Sequence, residues 1–190
     1  FALDSEKGKL TPLDPPFARG PDLDHEYHGP RHYTHHPTLH MGFTANERGG
    51  GISSWNFDEK TGRLSLLETL SSLPRDWEGK SFAADIHITP NGRFAYVSNR
   101  DGRRMEKGEP YGDTLAGFKI DLKTGGMKSV GHFLTGRFPR SFCIDATGNF
   151  IFVACELDHK LEVYRVNQKT GALKRIGSYE TGKTPIWVTL

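Results

Sequence analysis

The chain has 190 residues and a formal net charge of +2, and 35% of its residues are hydrophobic. This length fits one or two domains, and the hydrophobic content is ordinary for a β protein rich in turns. The small net charge gives no electrostatic reason to expect nucleic acid or a membrane surface as a partner. No apolar run is long enough to cross a bilayer, and we expect a cytoplasmic location.

The first part of the chain, residues 1–28, is predicted to hold the last strand of an incomplete repeat unit and a connecting loop. Its opening residues, 1–10, match the turn between the third and fourth strands of later units. A stretch rich in Pro, Asp and His then leads to Arg31. The chain is therefore expected to begin inside a unit.

A segment that pairs two hydrophobic strand patterns recurs three times. The copies occupy residues 30–47, 83–100 and 139–156. An offset of 53 residues places Glu47 on Arg100, and a further offset of 56 places Arg100 on Glu156. Repeats of this period are typical of solenoids, propellers and arrays.

A third strand pattern and a polar turn follow each copy and decide among these architectures. The third strands are predicted at 52–57, 115–120 and 161–166. Asp or Asn at the start of each turn can hydrogen-bond its own backbone, and Gly accepts the positive φ that closes a hairpin. Apolar residues alternate with period two, and no segment has a helical period. Four strands in a unit of about 45 to 55 residues are typical of a β-propeller blade.

The sequence thus predicts an all-β fold, a β-propeller with four-stranded antiparallel blades in a single domain. The blades are predicted at 29–82, 83–138 and 139–184. Residues 185–190 match the beginning of a first strand and are predicted to be the inner strand of a closing blade. Since an open propeller exposes unpaired strand edges, we expect further chain to close the ring.

Propeller geometry would bring scattered charged residues together, because residues that begin a first strand or end a second strand share one mouth of the channel. The residues predicted there are Arg31, His32, Glu47, Asp85, Arg100, Arg140 and Glu156. Arginines beside carboxylates can hold an anion and supply a base, although a solvated rim also tolerates such charges. His87 lies on the same strand face as Asp85 and fits a structural or a catalytic role equally well.

Histidine and cysteine give no sign of a metal or redox centre. The histidines of the first copy and its approach are His25, His28, His32, His35, His36 and His40. They lack the spacing of metal ligands, so we expect neither a metal nor a cofactor. Cys143 and Cys155 are expected to be reduced, buried thiols rather than a disulfide.

The second unit carries an insertion at residues 101–112, between its second and third strands. This places the insertion on the same side as the charged residues. It fits a lid over a substrate or a solvated surface loop, and loops so placed often carry function.

Several motifs resemble those of the propeller lactonase family, which includes the propeller-type 6-phosphogluconolactonases and the carboxymuconate lactonizing enzymes. The motifs are Gly29-Pro30-Arg31-His32, Asn46-Glu47, the segment 83–93, Asn99-Arg100, Pro139-Arg140 and Pro185-Ile186-Trp187-Val188. The likeness covers nearly the whole chain from Gly29 onward. It implies a seven-bladed ring, about half of which is present in this chain, with the N-terminal blades lying outside it.

The resemblance also implies roles for the charged residues. In the lactonizing enzyme, the residues matching Arg31, Glu47 and Arg100 form the site with a His from an earlier blade. We therefore expect these three to be catalytic. The substrate-binding candidates are His32, Asp85, His87 and Arg140.

The resemblance implies hydrolysis of a phosphorylated sugar lactone such as 6-phosphogluconolactone. Glu47 would accept a proton from the attacking water, and Arg31 and Arg100 would bind the anionic group or the developing oxyanion. A carboxymuconate cycloisomerase is the first alternative, and a non-catalytic propeller that binds an anionic ligand or a protein is the second. The expected partners are a small anionic lactone or carboxylate and the N-terminal blades of the same protein, with neither nucleic acid nor a membrane.

Overall fold

The protein is built from β-strands joined by turns and loops. The computed structural model describes residues 1–20, 29–103 and 112–190. Its strands are β1 (Ala2–Asp4), β2 (Lys9–Thr11), β3 (Pro30–His35), β4 (Met41–Asn46), β5 (Gly51–Asp58), β6 (Arg63–Ser71), β7 (Ser81–Ile88), β8 (Phe94–Asp101), β9 (Thr114–Ile120), β10 (Met127–Leu134), β11 (Pro139–Ile144), β12 (Phe150–Cys155), β13 (Lys160–Val166) and β14 (Leu173–Glu180). The described ranges contain no helix, and therefore none that could cross a membrane.

The strands form three four-stranded antiparallel sheets and one two-stranded sheet. The four-stranded sheets have the orders β3-β4-β5-β6, β7-β8-β9-β10 and β11-β12-β13-β14, and β1 pairs with β2. Each sheet is a simple meander, because every strand pairs with its neighbour in sequence. The predicted all-β class and the four-stranded antiparallel unit are confirmed. We refer to the three meanders as the first, second and third sheets.

The core lies between successive sheets. One cluster joins Phe43 and Ile52 of the first sheet to Val97 and Phe118 of the second. Another joins the second sheet to the third, and its fully buried members include Phe142. Alternating residues of a strand point to opposite faces, so one sheet contributes to two cores. Each such side chain stabilises the fold by roughly 1.5–3 kcal/mol.

The turn between the third and fourth strands packs against the preceding sheet. In the third sheet, Gly171 has a φ of 76° and donates its amide to the Asn167 carbonyl, while Asn167 Oδ1 accepts the Lys169 amide at 2.9 Å. A Cβ on Gly171 would lie 2.6 Å from the Phe94 ring of the second sheet. Tyr96 donates its hydroxyl to the Gly171 carbonyl at 2.8 Å. Both the conformation and the space therefore require glycine here, as the turn pattern predicts.

The remaining sequence predictions concern the ends of the chain, the insertion and the cysteines. Residues 185–190, predicted as the inner strand of a further blade, lie in no strand, although the Val188 amide donates to Ser141 Oγ at 3.3 Å. Most of the insertion, residues 104–111, lies outside the described residues. Cys143 and Cys155 are buried, as predicted, and form no disulfide in the described ranges.

A buried histidine joins the first sheet to the second. His36 is 5% exposed, and its Nε2 donates to the Gly92 carbonyl at 2.9 Å. Its Nδ1 accepts the amides of Thr38 and Leu39 at 3.1 and 3.0 Å. A ring with one donor and one acceptor is neutral. Burial lowers the pKa of His36 and outweighs the opposite effect of the Gly92 hydrogen bond.

We expect the folded state to lose stability as the pH falls below about 6.5, the ordinary pKa of histidine. The unfolded chain binds a proton on His36 before the folded chain does, so the free energy of unfolding decreases with falling pH. His36→Asn keeps an acceptor for the Thr38 amide, as Asp145 does for Thr147 in the third sheet, and it removes the titration.

Denaturant unfolding of the full-length protein between about pH 7 and 5 tests this expectation. The variant should show a shallower decrease of the free energy of unfolding than the wild type. Parallel pH profiles would show that His36 is not responsible.

Candidate active site

Each four-stranded sheet has an irregularity in its first strand, at the same end. In β3 the extra residue is Arg31, since Pro30 pairs with Asn46 and His32 with Ala45. In β11 it is Arg140, and in β7 the shift covers Ala84 and Asp85. A bulge turns a side chain away from the regular alternation of a strand. Three bulges at one end therefore redirect the residues that the sequence predicts to share a mouth.

Glu47 lies between two arginines just beyond the end of β4. Its Oε1 accepts a hydrogen bond from Arg100 Nη2 at 2.5 Å and lies 3.8 Å from Arg31 Nε. The Glu47 side chain is 40% exposed, whereas those of Arg31 and Arg100 are 20% and 5% exposed. Both contacts use Oε1. Oε2 thus has no hydrogen-bond or ion-pair partner among the described residues, and it can accept a hydrogen bond from a water or a substrate.

Arg100 holds Glu47 in place. Its Nε donates to the Phe82 carbonyl at 3.3 Å, and its guanidinium lies 5.3 Å from the centre of the Phe138 ring. The second donor group, Nη2, bonds Glu47 and the Ala83 carbonyl. A buried cation with these partners is fixed in one orientation. Arg100 is therefore placed to fix the position of Glu47, and its catalytic role stays a prediction.

Three charged side chains affect the pKa of Arg100. Burial is the largest cause that lowers the pKa of Arg100, and the positive charges of Arg31 and Arg140 lower it further. Glu47 opposes this through its hydrogen bond and its negative charge. The carboxylates Glu47, Asp85 and Glu156 balance the three arginines at this end of the sheets, so an anion would be held by individual guanidinium donors rather than by an excess of positive charge.

A histidine and an aspartate extend the cluster towards the second sheet. His32 Nδ1 lies 2.6 Å from Asp85 Oδ1, and His32 Nε2 lies 2.9 Å from Arg31 Nη1. Arginine can only donate, so Nε2 must accept and the ring proton sits on Nδ1. His32 therefore donates to Asp85 through Nδ1 and accepts from Arg31 through Nε2, so it links the two side chains. Arg31 Nη1 also donates to the Ala84 carbonyl at 3.0 Å.

Asp85 joins three sheets. Besides His32 of the first sheet, it accepts the amide of Phe142 in the third at 3.1 Å. His87 Nε2 lies 3.5 Å from its Oδ2. Burial alone would raise the pKa of Asp85, but His87, His32 and the Phe142 amide outweigh it and lower the pKa to about 2. The carboxylate thus stays charged and fixes the geometry of its neighbours.

The rest of the predicted mouth is less closely connected. Arg140 is half-buried and makes neither an ion pair nor a hydrogen bond within the described ranges. Glu156 Oε2 is buried and lacks a hydrogen-bond partner there. We use the name rim cluster for Arg31, His32, Glu47, Asp85, His87 and Arg100, which contact one another.

Two residues near the rim cluster were not identified from the sequence. Phe138 has a φ of 62°, a strained value for a residue with a large side chain. Its amide donates to the Asp113 carboxylate, and burial is the main cause that raises the pKa of Asp113 to about 6. Trp187 packs edge-on against His32 at 6.0 Å between ring centres. Only the match of 185–188 to the repeat could have indicated Trp187.

The described residues hold no group of three or more His, Cys, Asp or Glu that could bind a metal. His25 and His28 lie outside these ranges. His35, His36 and His40 contact Tyr33, the backbone and Glu59 respectively, so they face different partners. The rim cluster can therefore supply hydrogen bonds, a fixed carboxylate and guanidinium groups from its own side chains.

Comparison with known protein sequences identifies relatives of the chain. A family model described as "Lactonase, 7-bladed beta-propeller" matches residues 1–190. The 6-phosphogluconolactonase of Yersinia pseudotuberculosis is 35% identical over 190 residues, which cover 98% of this chain and 52% of that protein. The chain thus spans about half the length of the curated relatives it matches. These findings confirm the resemblance drawn from the motifs.

Solved structures agree with the sequence relatives. The periplasmic gluconolactonase of Pseudomonas aeruginosa matches with a TM-score of 0.72 and 27% identity, over 83% of this chain and 41% of that one. A protein from Lactobacillus plantarum matches with a TM-score of 0.74 and 28% identity, over 85% of this chain and 44% of that one. The three sheets therefore have the arrangement of known propellers.

Replacing Asp85 by Asn should destabilise the full-length protein by roughly 2–4 kcal/mol at pH 7, because the amide keeps only one acceptor oxygen and leaves the donor of either the first or the third sheet without an acceptor. The folded-state pKa of about 2 lies below the ordinary value of about 3.9. The unfolded chain thus takes up the proton first, and the advantage of the wild type should disappear as the pH falls from about 4 to 2.

Unfolding curves of both proteins across this range measure the difference. Asp121→Asn is the control. Asp121 accepts the Lys123 amide in an exposed turn, and Asn167 accepts the Lys169 amide in the same way in the equivalent turn of the third sheet. The control substitution should change stability by less than about 0.5 kcal/mol. Equal stability of Asp85→Asn and wild type at pH 7 would contradict the assignment.

Proposed function

Since the chain belongs to the seven-bladed β-propeller lactonase family, we propose that its full-length protein hydrolyses a phosphorylated sugar lactone, such as 6-phosphogluconolactone, to the open-chain acid. The relatives named 6-phosphogluconolactonase support this substrate class. The named periplasmic gluconolactonase supports the same reaction on a sugar lactone. The guanidinium groups of Arg31 and Arg140 at this end of the sheets supply donors for an anionic substrate.

One observation carries the proposal: Glu47 is held at Oε1 by Arg100, with Arg31 nearby, while Oε2 is free. A general base must have a fixed position and an unoccupied lone pair. An oxyanion needs a donor fixed in advance, and Arg31 is oriented by His32 and by the Ala84 carbonyl. Both parts of an ester hydrolysis therefore stand beside each other.

The steps follow from this arrangement. Glu47 Oε2 accepts a proton from water as the water oxygen attacks the lactone carbonyl. Arg31 stabilises the negative charge that develops on the carbonyl oxygen. When the tetrahedral intermediate collapses, the bond to the ring oxygen breaks and Glu47 returns its proton to that oxygen. One water is consumed, the carboxylic acid and a hydroxyl are formed, and Glu47 is restored.

Asp85 and His32 act through Arg31 in this scheme. The charged carboxylate fixes the His32 proton on Nδ1, and the lone pair on Nε2 then holds Arg31. His87 adds a further donor to Asp85. These residues are positioning residues, with the substrate contacts left to Arg31 and Glu47.

The remaining partner assignments follow from the family. We propose that further blades of the same protein complete the ring, and that they contribute the other wall of the site. The small anionic lactone is the proposed ligand. A cytoplasmic location stays a prediction, since one of the similar structures is named as periplasmic.

Glu47→Gln should lower kcat/KM of the full-length protein for 6-phosphogluconolactone at least about 100-fold, because a general base contributes about 10²–10⁴-fold. Hydrolysis is measured as acid release, with the spontaneous reaction subtracted. Glu59→Gln is the control, since Glu59 is an exposed carboxylate that pairs with His40, and it should retain full activity.

Other outcomes separate the alternatives. Equal rates for wild type and Glu47→Gln, both at the spontaneous level, would contradict lactonase activity and favour a propeller that only binds. Turnover of a carboxymuconate without lactone hydrolysis would favour the cycloisomerase.

A further inference from the structure

The third sheet repeats the arginine–glutamate arrangement of the first sheet. Arg31 is the extra residue of a bulge beside Pro30, and Glu47 follows the partner strand. Arg140 is the extra residue of a bulge beside Pro139, and Glu156 follows its partner strand. Both pairs have the same spacing in the sequence. The second sheet breaks this pattern, with Arg100 in place of the glutamate.

The backbone around the two pairs is also equivalent. The Glu47 amide donates to the Gly29 carbonyl at 2.7 Å, and the Glu156 amide donates to the Phe138 carbonyl at 3.1 Å. Gly29 and Phe138 both have left-handed conformations, with φ of 81° and 62°. A phenylalanine tolerates this conformation only when its surroundings hold it. The geometry of the first pair is thus rebuilt in the third sheet at a cost in strain.

The two pairs differ in how the arginine is used. Arg31 contacts His32, the Ala84 carbonyl and Glu47. Arg140 has no ion pair or hydrogen bond to any described residue. Its donors therefore meet no acceptor in the ranges 1–20, 29–103 and 112–190.

Glu156 forms no ion pair with Arg140, since no N–O distance of 4 Å or less joins the two side chains. Glu156 Oε2 is buried and has no hydrogen-bond partner among the described residues. In the first pair, by contrast, Glu47 Oε1 lies close to both Arg31 and Arg100. The positive charge of Arg140 is left for a ligand, since a guanidinium presents parallel donors that match a phosphate.

We propose that Arg140 binds the phosphate of the substrate, at the end remote from the lactone carbonyl, and so determines the preference for a phosphorylated over a neutral lactone. The inference rests on the proposed function, because it assigns the lactone carbonyl to the pair Arg31 and Glu47 and the phosphate to the equivalent pair of the third sheet. The first pair acts on the carbonyl, and the third sheet holds the anion. Arg100 bonds Glu47 of the first pair.

The test compares two substrates on the full-length protein. For 6-phosphogluconolactone, Arg140→Gln should lower kcat/KM roughly 10- to 100-fold, mainly through a higher KM, as expected for lost hydrogen bonds to a charged group. For unphosphorylated glucono-δ-lactone, kcat/KM should change less than about threefold. Arg140→Lys keeps the charge and should recover part of the preference. Arg165→Gln is the control, because Arg165 is exposed on the same sheet and stacks on Phe150.

A purely structural role for Arg140 would lower the rates on both substrates together, and this result would overturn the proposal. An unchanged preference in Arg140→Gln would overturn it as well. Calorimetric binding of 6-phosphogluconate and of gluconate tests phosphate binding by Arg140 independently of lactone hydrolysis. If the wild type hydrolyses neither lactone but binds 6-phosphogluconate through Arg140, the lactonase function fails and the phosphate site stands.

Discussion

The structure depends on a single buried carboxylate, Asp85. It lies at the irregular end of β7 and accepts hydrogen bonds from His32 of the first sheet and from the Phe142 amide of the third. The apolar cores join the sheets only in pairs, the first with the second and the second with the third. Asp85 joins all three through hydrogen bonds of one carboxylate. Its charge costs desolvation, and the hydrogen bonds it accepts repay that cost.

The same contact couples the fold to the chemistry. Asp85 determines the tautomer of His32, His32 orients Arg31, and Arg31 lies beside Glu47. A shift between two sheets would therefore change the position of Arg31 beside Glu47, at the carbonyl end of the proposed site. Buried polar networks of this kind specify one arrangement when all members are satisfied. Stability and the geometry of the site thus depend on the same carboxylate.

The strands and the sheet order could be predicted from the sequence, because repeated alternation and turn residues act locally. Glu47 and Arg100 could be found from the contrast within the repeat. The roles of other residues could not, since period-two alternation says nothing about a bulge such as that at Arg140. The burial that holds Arg100 against Glu47 arises only when sheets pack together. The left-handed Phe138 has no sequence signal at all.

In the proposed site, the bulges place one anionic substrate between two arginine–glutamate pairs. A crystal structure of the full-length protein with bound 6-phosphogluconate would show this placement. We expect the product carboxylate within about 3 Å of Arg31 and beside Glu47 Oε2, with the phosphate on Arg140. A product bound elsewhere, or one whose phosphate lies away from Arg140 or whose carboxylate lies away from Arg31, would contradict the proposed site.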